Sequence, residues 1–383
     1  MSEREETVEM LVDAARRFAR EVLVPAEPMV EETDEIPSNI VSQLKELGLF
    51  GMTVPEEYGG LGLSMYEEAR LVFEVAYASP VFRSYFGTTN GVGTLGIINE
   101  GTPEQRERYL SRIATGELMA SFALTEPDAG SDVASMTTKA VRDGDYYVIN
   151  GTKRFITNAI HAGLFTVFAR TGPKEAGASG ISAFLVERET PGLTVGRPYK
   201  KMGFRGSHES DVIFEDCRVP ASAMLGREGG GFKNAMKSLD HARLHMAAVA
   251  TGQCYRLIDE GVRYAMERKQ FGQPIASFQM VQAMIADSQA EAFAARSMVE
   301  KAAMEKDRGM KITMESACCK YFATEAAFRI ADRMLQIHGG SGYIKEYPIE
   351  RLFRDVRLLR IYEGTSQIQQ LIIAREALKA RAQ

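Results

Sequence analysis

The chain has 383 residues, a formal net charge of −5, 45% hydrophobic and 25% charged residues. That is length for two or three domains with substantial cores, at an ordinary globular composition. The acidic balance without a long basic run argues against nucleic acid or an anionic membrane as main partner. The acidic start MSEREETVEM lacks the layout of a signal peptide, and no apolar run approaches a membrane span, so a cytoplasmic protein is expected.

Residues 1–120 read mainly as helices. MLVDAARRFAREVLVPAE has helical periodicity and is expected to stop at Pro25. SNIVSQLKELGLFGM repeats the pattern and ends near Gly48. SMYEEARLVFEVAYAS follows, with Ser64 and Glu67 as a capping box, and TPEQRERYLSRIATGE carries proline in its first turn. Residues 121–227 change texture. Short β-type runs (ASFAL, TTKAV, DYYVING, LFTVFAR, GISAFLVE, DVIFEDC) alternate with Gly, Asp, Asn and Pro, which predicts a compact antiparallel β-barrel or sandwich. Residues 228–383 are helical again after GREGGGF, whose GGG reads as a hinge-like entry. One very long helix over 234–268, two more near 278–308 and 312–337, and a last one from Ser366 describe a four-helix bundle. The fold class is α+β.

Cys217, Cys254, Cys318 and Cys319 form no CxxC pair and read as reduced core residues. His241 and His245 are spaced i, i+4, but without an acid or cysteine companion they read as helix-face residues, and no metal is expected. No GxGxxG follows a strand, and neither a P-loop nor a nucleophile elbow occurs.

What remains are compact polar segments rich in glycine. ALTEPDAGSD (123–132) follows a β run and offers turn backbone and the hydroxyls of Thr125 and Ser131 to the polar edges of a ligand. GTKRFITNA (151–159) sets an aromatic residue between threonines. RKQFGQPIASFQ (268–279) pairs an arginine suited to phosphate with a phenylalanine suited to stacking. QIHGGSGY (336–343) permits close backbone approach. Each alone is as well explained as a turn or helix end. Ahead of the last helix, in RIYEGTSQIQQLIIARE, stands Glu363. Ser366 with Gln369 fits a capping box, and an acid there meets the helix dipole, worth a few tenths to about 1 kcal/mol.

In family order and spacing, ALTEPDAGSD, GTKRFITNA, DVIFEDCRVP, LDHAR, RKQFG, QIHGGSGY and RIYEGTSQIQ resemble the acyl-CoA dehydrogenases over nearly the whole chain. The resemblance implies FAD held between the β domain and the C-terminal bundle. Phe122, Leu124, Thr125, Gly130, Ser131, Phe155, Ile156 and Thr157 would line the flavin. Arg268, Gln270, Phe271, Gln279, Gln336, Gly339 and Gly340 would hold the adenine end and pyrophosphate across a subunit boundary, with Thr365 and Gln367 completing the pocket. Ser131, Phe232, Asp240, Arg243, Tyr362 and Gly364 would line the acyl-CoA channel. Glu363 takes the place of the catalytic base. The alternative place on the long helix is Ala242, which cannot accept a proton. The Glu363 backbone N–H and the FAD ribityl hydroxyl would hold the thioester oxygen. The product would be a trans-2-enoyl-CoA, with electrons passed to an electron-transferring flavoprotein by a homotetramer built as a dimer of dimers.

Two departures stand out. The chain has no tryptophan, and Phe155 stands where relatives often carry Trp beside the flavin. Arg83, in SPVFRSYFGTTNG, falls where glutaryl-CoA dehydrogenase has an arginine for a distal carboxylate. The plain alternative is an arginine at a helix end, snorkelling to water. An acyl-CoA oxidase shares fold and base. A nitroalkane-oxidase-like enzyme would carry Asp as base, and a DNA-binding relative is opposed by the acidic balance.

Overall fold

The computed structural model describes residues 2–382. In the N-terminal region α1 (Glu3–Phe18) starts on a Ser2–Glu5 capping box. The expected stop at Pro25 does not occur. A π turn over Ala19–Leu23 carries the chain into α2 (Val24–Thr33), where Pro25 lies in the first turn. The helix ends only where Asp34 turns left-handed, at φ 61°. Then come α3 (Ser38–Glu46), α4 (Met65–Val75), α5 (Pro80–Asn90), α6 (Val92–Glu100) and α7 (Pro103–Ala114). The Ser64–Glu67 box caps α4, and Thr102 with Gln105 forms another on α7. No periodicity announced α5 and α6. Both are buried nearly all round, so neither shows the polar face that marks an amphipathic helix.

The middle region holds one eight-stranded sheet: β1 (Ala120–Ala123), β2 (Lys139–Asp143), β3 (Tyr146–Thr157), β4 (Leu164–Arg170), β5 (Ile181–Glu187), β6 (Leu193–Val195), β7 (Glu209–Pro220) and β8 (Met224–Leu225). The order is β6-β7-β3-β2-β4-β5-β8, with β1 on β4. The sheet is mainly antiparallel, as expected, with two parallel pairings. β1 pairs with β4 in parallel, and β2 meets β4 in parallel at Lys139–Arg170. A parallel pair needs a crossover. The loop after β1 and the β2–β3 hairpin supply it. DYYVING and GTKRFIT form one strand, β3, whose ladder with β7 bulges between Lys153 and Ile156.

The C-terminal region opens with α8 (Gly231–Glu267), followed by α9 (Gln279–Asp307), α10 (Thr313–His338), α11 (Pro348–Leu358) and α12 (Ser366–Ala382). α10 packs on α8, α9, α11 and α12. Small residues let α8 and α10 approach closely: a Cβ on Gly261 would come within 2.2 Å of the Met334 sulfur. The GGG entry is not a hinge. A Cβ on Gly229 would lie 2.4 Å from the Ser179 carbonyl oxygen, and one on Gly231 2.5 Å from the Ser182 carbonyl carbon, so the glycines serve close packing on β5 and the turn before it. One apolar core joins the N-terminal helices to the bundle, with Phe50, Phe82, Leu244 and Ile330 all buried in it. A second joins α6, α7 and the start of α8 to the sheet. The cleft described next opens where these regions meet.

Candidate active site

A cavity of about 360 Å³ lies between the sheet and the bundle. One wall is the end of β1 and its loop, with Phe122, Leu124, Thr125, Gly130 and Ser131. The β3 bulge adds Phe155, Ile156 and Thr157. The opposite wall is α8, with Phe232 and Arg243, and the turn Tyr362–Gly364 closes it. Phe155 is left-handed (φ 57°), as a bulge permits, and its ring lies 5.2 Å from Tyr199. These residues come from segments far apart in sequence.

Other expected site residues lie elsewhere. Asp240 sits behind the wall, its carboxylate 2.6 Å from Arg243 Nη1 and accepting a hydrogen bond from Thr313 Oγ1. Arg268, Gln270, Phe271, Gln279, Gln336, Gly339 and Gly340 are exposed and do not line this cavity. Gln367 is exposed as well. Sequence reading missed Met236, Leu239, Ile368, Ile372 and Arg375 in the lining. Their signal was present. Residues 232, 236, 239 and 243 recur at helical spacing, as do 368, 372 and 375.

The loop after β1 is held from inside. Lys153 Nζ donates to Glu126 Oε1 (2.8 Å) and to the Leu124 carbonyl (3.2 Å). Glu126 also accepts from both the backbone and hydroxyl of Thr137 and from the Thr138 backbone. Burial pushes Glu126 up, but Lys153 and these donors hold it down at about 2.

The Glu363 turn is strained. Glu363 has φ 56° and Gly364 φ 89°. A left-handed non-glycine residue costs about 1 kcal/mol or more and persists where the surroundings over-determine it. The expected Ser366–Gln369 capping box is absent. Thr365 Oγ1 caps α12 by accepting from the Ile368 N–H (3.2 Å). Ser366 turns its hydroxyl to Glu325 (2.5 Å), and Gln369 Nε2 reaches back to the carbonyls of Glu363 (3.2 Å) and Gly364 (3.0 Å). The one-residue shift of the cap frees Ser366 and Gln369 to fasten the turn.

Among the described residues the Glu363 carboxylate makes no hydrogen bond or ion pair. Burial raises its pKa, opposed by Arg83, Arg243 and Lys320. An unpaired, desolvated carboxylate is suited to accept a proton. The expectation that Arg83 could snorkel from a helix end is not met: it lies within α5 and is 7% exposed. Its Nε donates to His245 Nε2 (2.6 Å), and His245 Nδ1 faces the buried Glu68 carboxylate. The other Glu68 oxygen lies 2.8 Å from His241 Nε2, and His241 Nδ1 is 2.5 Å from Lys306 Nζ. Accepting from Arg83 fixes His245 as the tautomer that donates to Glu68. The two histidines, expected on a plain helix face, serve this buried network. No group of three or more His, Cys, Asp or Glu placed to hold a metal occurs among the described residues. The four cysteines are free.

Fold and cleft together define a helix–sheet–helix protein with a ligand cleft of aromatic and hydroxyl side chains where its three regions meet. The chain belongs to the acyl-CoA dehydrogenase family: "Acyl-CoA dehydrogenase, N-terminal domain" matches residues 5–117, "middle domain" 121–217 and "C-terminal domain" 229–378. It is 44% identical to the probable acyl-CoA dehydrogenase YngJ of Bacillus subtilis, over 97% of this chain and 98% of that one. It is 44% identical to acryloyl-CoA reductase (NADH) of Anaerotignum propionicum (97% and 94%) and 42% to the caffeyl-CoA reductase-Etf complex subunit CarC of Acetobacterium woodii (97% and 98%). Among solved structures it superposes on butyryl-CoA dehydrogenase from Megasphaera elsdenii with a TM-score of 0.94 (34% identity, 99% of each chain). The glutaryl-coenzyme A dehydrogenase–glutaryl-CoA complex gives 0.92 (34% identity, 99% and 96%). PigA with FAD and proline gives 0.94 (30% identity, 98% of each). The chain is thus an oxidoreductase acting on CH–CH bonds, and FAD is the cofactor of its family. No described helix is long and apolar enough to cross a membrane.

The cleft fits that cofactor. Flat apolar side chains (Phe122, Phe155) and the hydroxyls of Thr125, Ser131 and Thr157 share one wall, as a planar ring system with polar edges requires. At Gly339 and Gly340 an added Cβ would meet nothing within 4 Å, leaving the backbone open to a ligand or second chain.

Proposed function

We propose that the enzyme dehydrogenates an acyl-CoA thioester to a trans-2-enoyl-CoA, with Glu363 as the base. One observation carries this reading: of the two carboxylates lining the cleft, Asp132 accepts a hydrogen bond from the Ser135 hydroxyl, while Glu363, on a strained turn, has no partner among the described residues and has its pKa raised by burial. The carboxylate takes the proton from the α-carbon as the thioester lies between α8 and the β1 loop. The Glu363 N–H has no acceptor among the described residues and is free to hold the thioester oxygen while charge develops there. Phe232, Met236 and Leu239 keep water from the acyl chain. Bound FAD would supply the acceptor for the hydride leaving the β-carbon. Phe122, Leu124, Thr125, Gly130, Ser131, Phe155, Ile156 and Thr157 would hold its ring, with Thr365 and Gln367 nearby. The exposed residues of 268–279 and 336–340 would take the adenine end from a second protomer.

The same residues run in reverse as an enoyl-CoA reductase, with protonated Glu363 returning the α-proton. The names of two relatives support weighing that direction. An electron-transferring flavoprotein as redox partner is supported by the likeness to CarC, a subunit of a caffeyl-CoA reductase-Etf complex. A cytoplasmic homotetramer, divided as 1–120, 121–227 and 228–383, completes the reading. The exposed Phe271, Met280 and Phe293 are apolar surface of the kind that assembly covers. A dicarboxylyl-CoA substrate is a second reading. It is favoured by Arg83, a buried guanidinium whose two Nη groups have no hydrogen-bond partner among the described residues.

The test is anaerobic flavin reduction with straight, branched, aromatic and dicarboxylic acyl-CoAs. Wild type should bleach with at least one. Glu363→Gln should stay yellow and unbleached, and bleaching by that variant would sink the assignment. Preference for dicarboxylic substrates, lost in Arg83→Met, would select the second reading. Peroxide made aerobically without added acceptor would mark an oxidase.

A further inference from the structure

Lys320 of α10 is a fully buried lysine with no carboxylate within ion-pair distance among the described residues, and a close approach to the cleft's acid turn. Its side chain is 0% exposed. Its one hydrogen bond among the described residues goes to the Gly364 carbonyl, at 2.7 Å. A buried ammonium has three donors to satisfy and is costly without a nearby anion. Burial accordingly pushes Lys320 down to about 7, while Glu363 pulls the other way. The charged groups facing it are Glu363 in the turn, Arg243 from α8, Glu325 on its own helix and Arg360 ahead of the turn. Among these, Glu325 is already engaged by Arg360 (2.7 Å) and Ser366. Glu363 is the carboxylate left to balance the ammonium.

The turn itself requires such a group. A side chain at Gly364 would be strained: its φ is 89°, and a Cβ would lie 2.6 Å from Gln369 Nε2, which would have to give up its hold on the turn. Glu363 is held left-handed beside it. Two donors converge on the Gly364 carbonyl, Lys320 from α10 and Gln369 from α12. Only one of them is charged and faces the acid.

We propose that Lys320 is a positioning residue for the Glu363 turn, gripping the Gly364 carbonyl and keeping the neighbouring carboxylate ionised in an otherwise dry cleft. This deepens the reading of Glu363 as base and rests on it. The role is dual, and the halves separate. The hydrogen bond fixes the backbone geometry. The charge favours the anionic form that can accept a proton, so it acts on the acid limb of the reaction.

Three variants of the FAD-loaded enzyme test this. Lys320→Gln keeps a donor without charge, Lys320→Met keeps neither, and Lys320→Arg keeps charge. The readout is the rate of anaerobic flavin bleaching by the best acyl-CoA as a function of pH. Removing a nearby positive charge raises the Glu363 pKa, so the acid limb should move up by about one pH unit in both neutral variants. On the plateau above that limb, Lys320→Met should be about fivefold slower than Lys320→Gln, the weight of one neutral hydrogen bond. Lys320→Arg should leave the limb in place. A limb unmoved in the neutral variants, or moved equally in Lys320→Arg, overturns the proposal. So does loss of FAD in all three, since a positioning residue of this turn leaves the cofactor wall intact. Amide hydrogen exchange over residues 360–368 gives a readout independent of turnover. It should quicken about tenfold in Lys320→Met, and unchanged exchange rejects the clamp. If wild type bleaches with no acyl-CoA, the functional reading fails, and this exchange measurement still decides the clamp.

Discussion

Replacing Lys153 by methionine would expose how the β1 loop keeps its place in the cleft wall. Lys153 and Glu126 have side chains 0% and 3% exposed, 2.8 Å apart. Methionine matches the lysine stem but leaves Glu126 as a buried anion. Losing one partner of such a pair costs about 3–5 kcal/mol, most of it for the stranded charge. Part is offset here because Glu126 keeps its donors from Thr137 and Thr138. The expected loss therefore lies at the lower end, about 3 kcal/mol. Adding Glu126→Gln removes the charge but keeps an acceptor, so the double variant should be more stable than Lys153→Met alone. Urea unfolding of the three proteins measures this, with FAD retention followed by absorbance. The pH dependence carries a sign. Glu126 is held at about 2 against an ordinary 4.5, so it lends stability above about pH 4.5 that is lost as pH falls towards 2. Without Lys153 burial prevails and raises Glu126 above its ordinary value, so the folded state binds the proton more tightly and stability should instead fall as pH rises through that raised value. A Lys153→Met protein within about 1 kcal/mol of wild type, or a double variant no better than the single, would refute the reasoning.

Asp355 should behave oppositely. Burial raises it from 3.8 to about 6, against hydrogen bonds from the Phe204 N–H (2.7 Å) and Ser79 (3.0 Å). The folded state then binds the extra proton between those values, so stability falls as pH rises through that window. Asp355→Asn should abolish that slope and be no less stable than wild type above it, by thermal melts across the range. At Gly87 two effects compete. Alanine in a helix gains up to about 1 kcal/mol, but its Cβ would meet Arg83 Nε at 2.5 Å. With Arg83 tied to His245, overpacking of about 1–3 kcal/mol should win. Gly87→Ala should melt below wild type, and a higher midpoint would show that Arg83 moves aside freely.

Where one local pattern decides, the sequence was legible. The capping box at Ser64, the proline-led start of α7 and the bundle helices follow from side chains within a few turns. Capping at Ser366 was misplaced because Thr365, Ser366 and Gln369 offer two consistent local solutions. Only Glu325, reaching from α10, takes Ser366 out of the cap. Helices α5 and α6 were illegible for another reason: burial all round erases the contrast that periodicity needs.

The sequence by itself determined the three-part order of helices, strands and helices, the motif-bearing segments, and Glu363 as the one acid available at its position. Those depend on residue type and spacing along the chain. The tertiary structure alone decided the parallel β1–β4 pairing, the left-handed turn beneath Glu363, and the setting of Lys153, Lys320 and Arg83 as buried cations. A charge's meaning depends on its dielectric surroundings and on which groups face it. Those are set by packing between elements 27 to 162 residues apart, which no local pattern records.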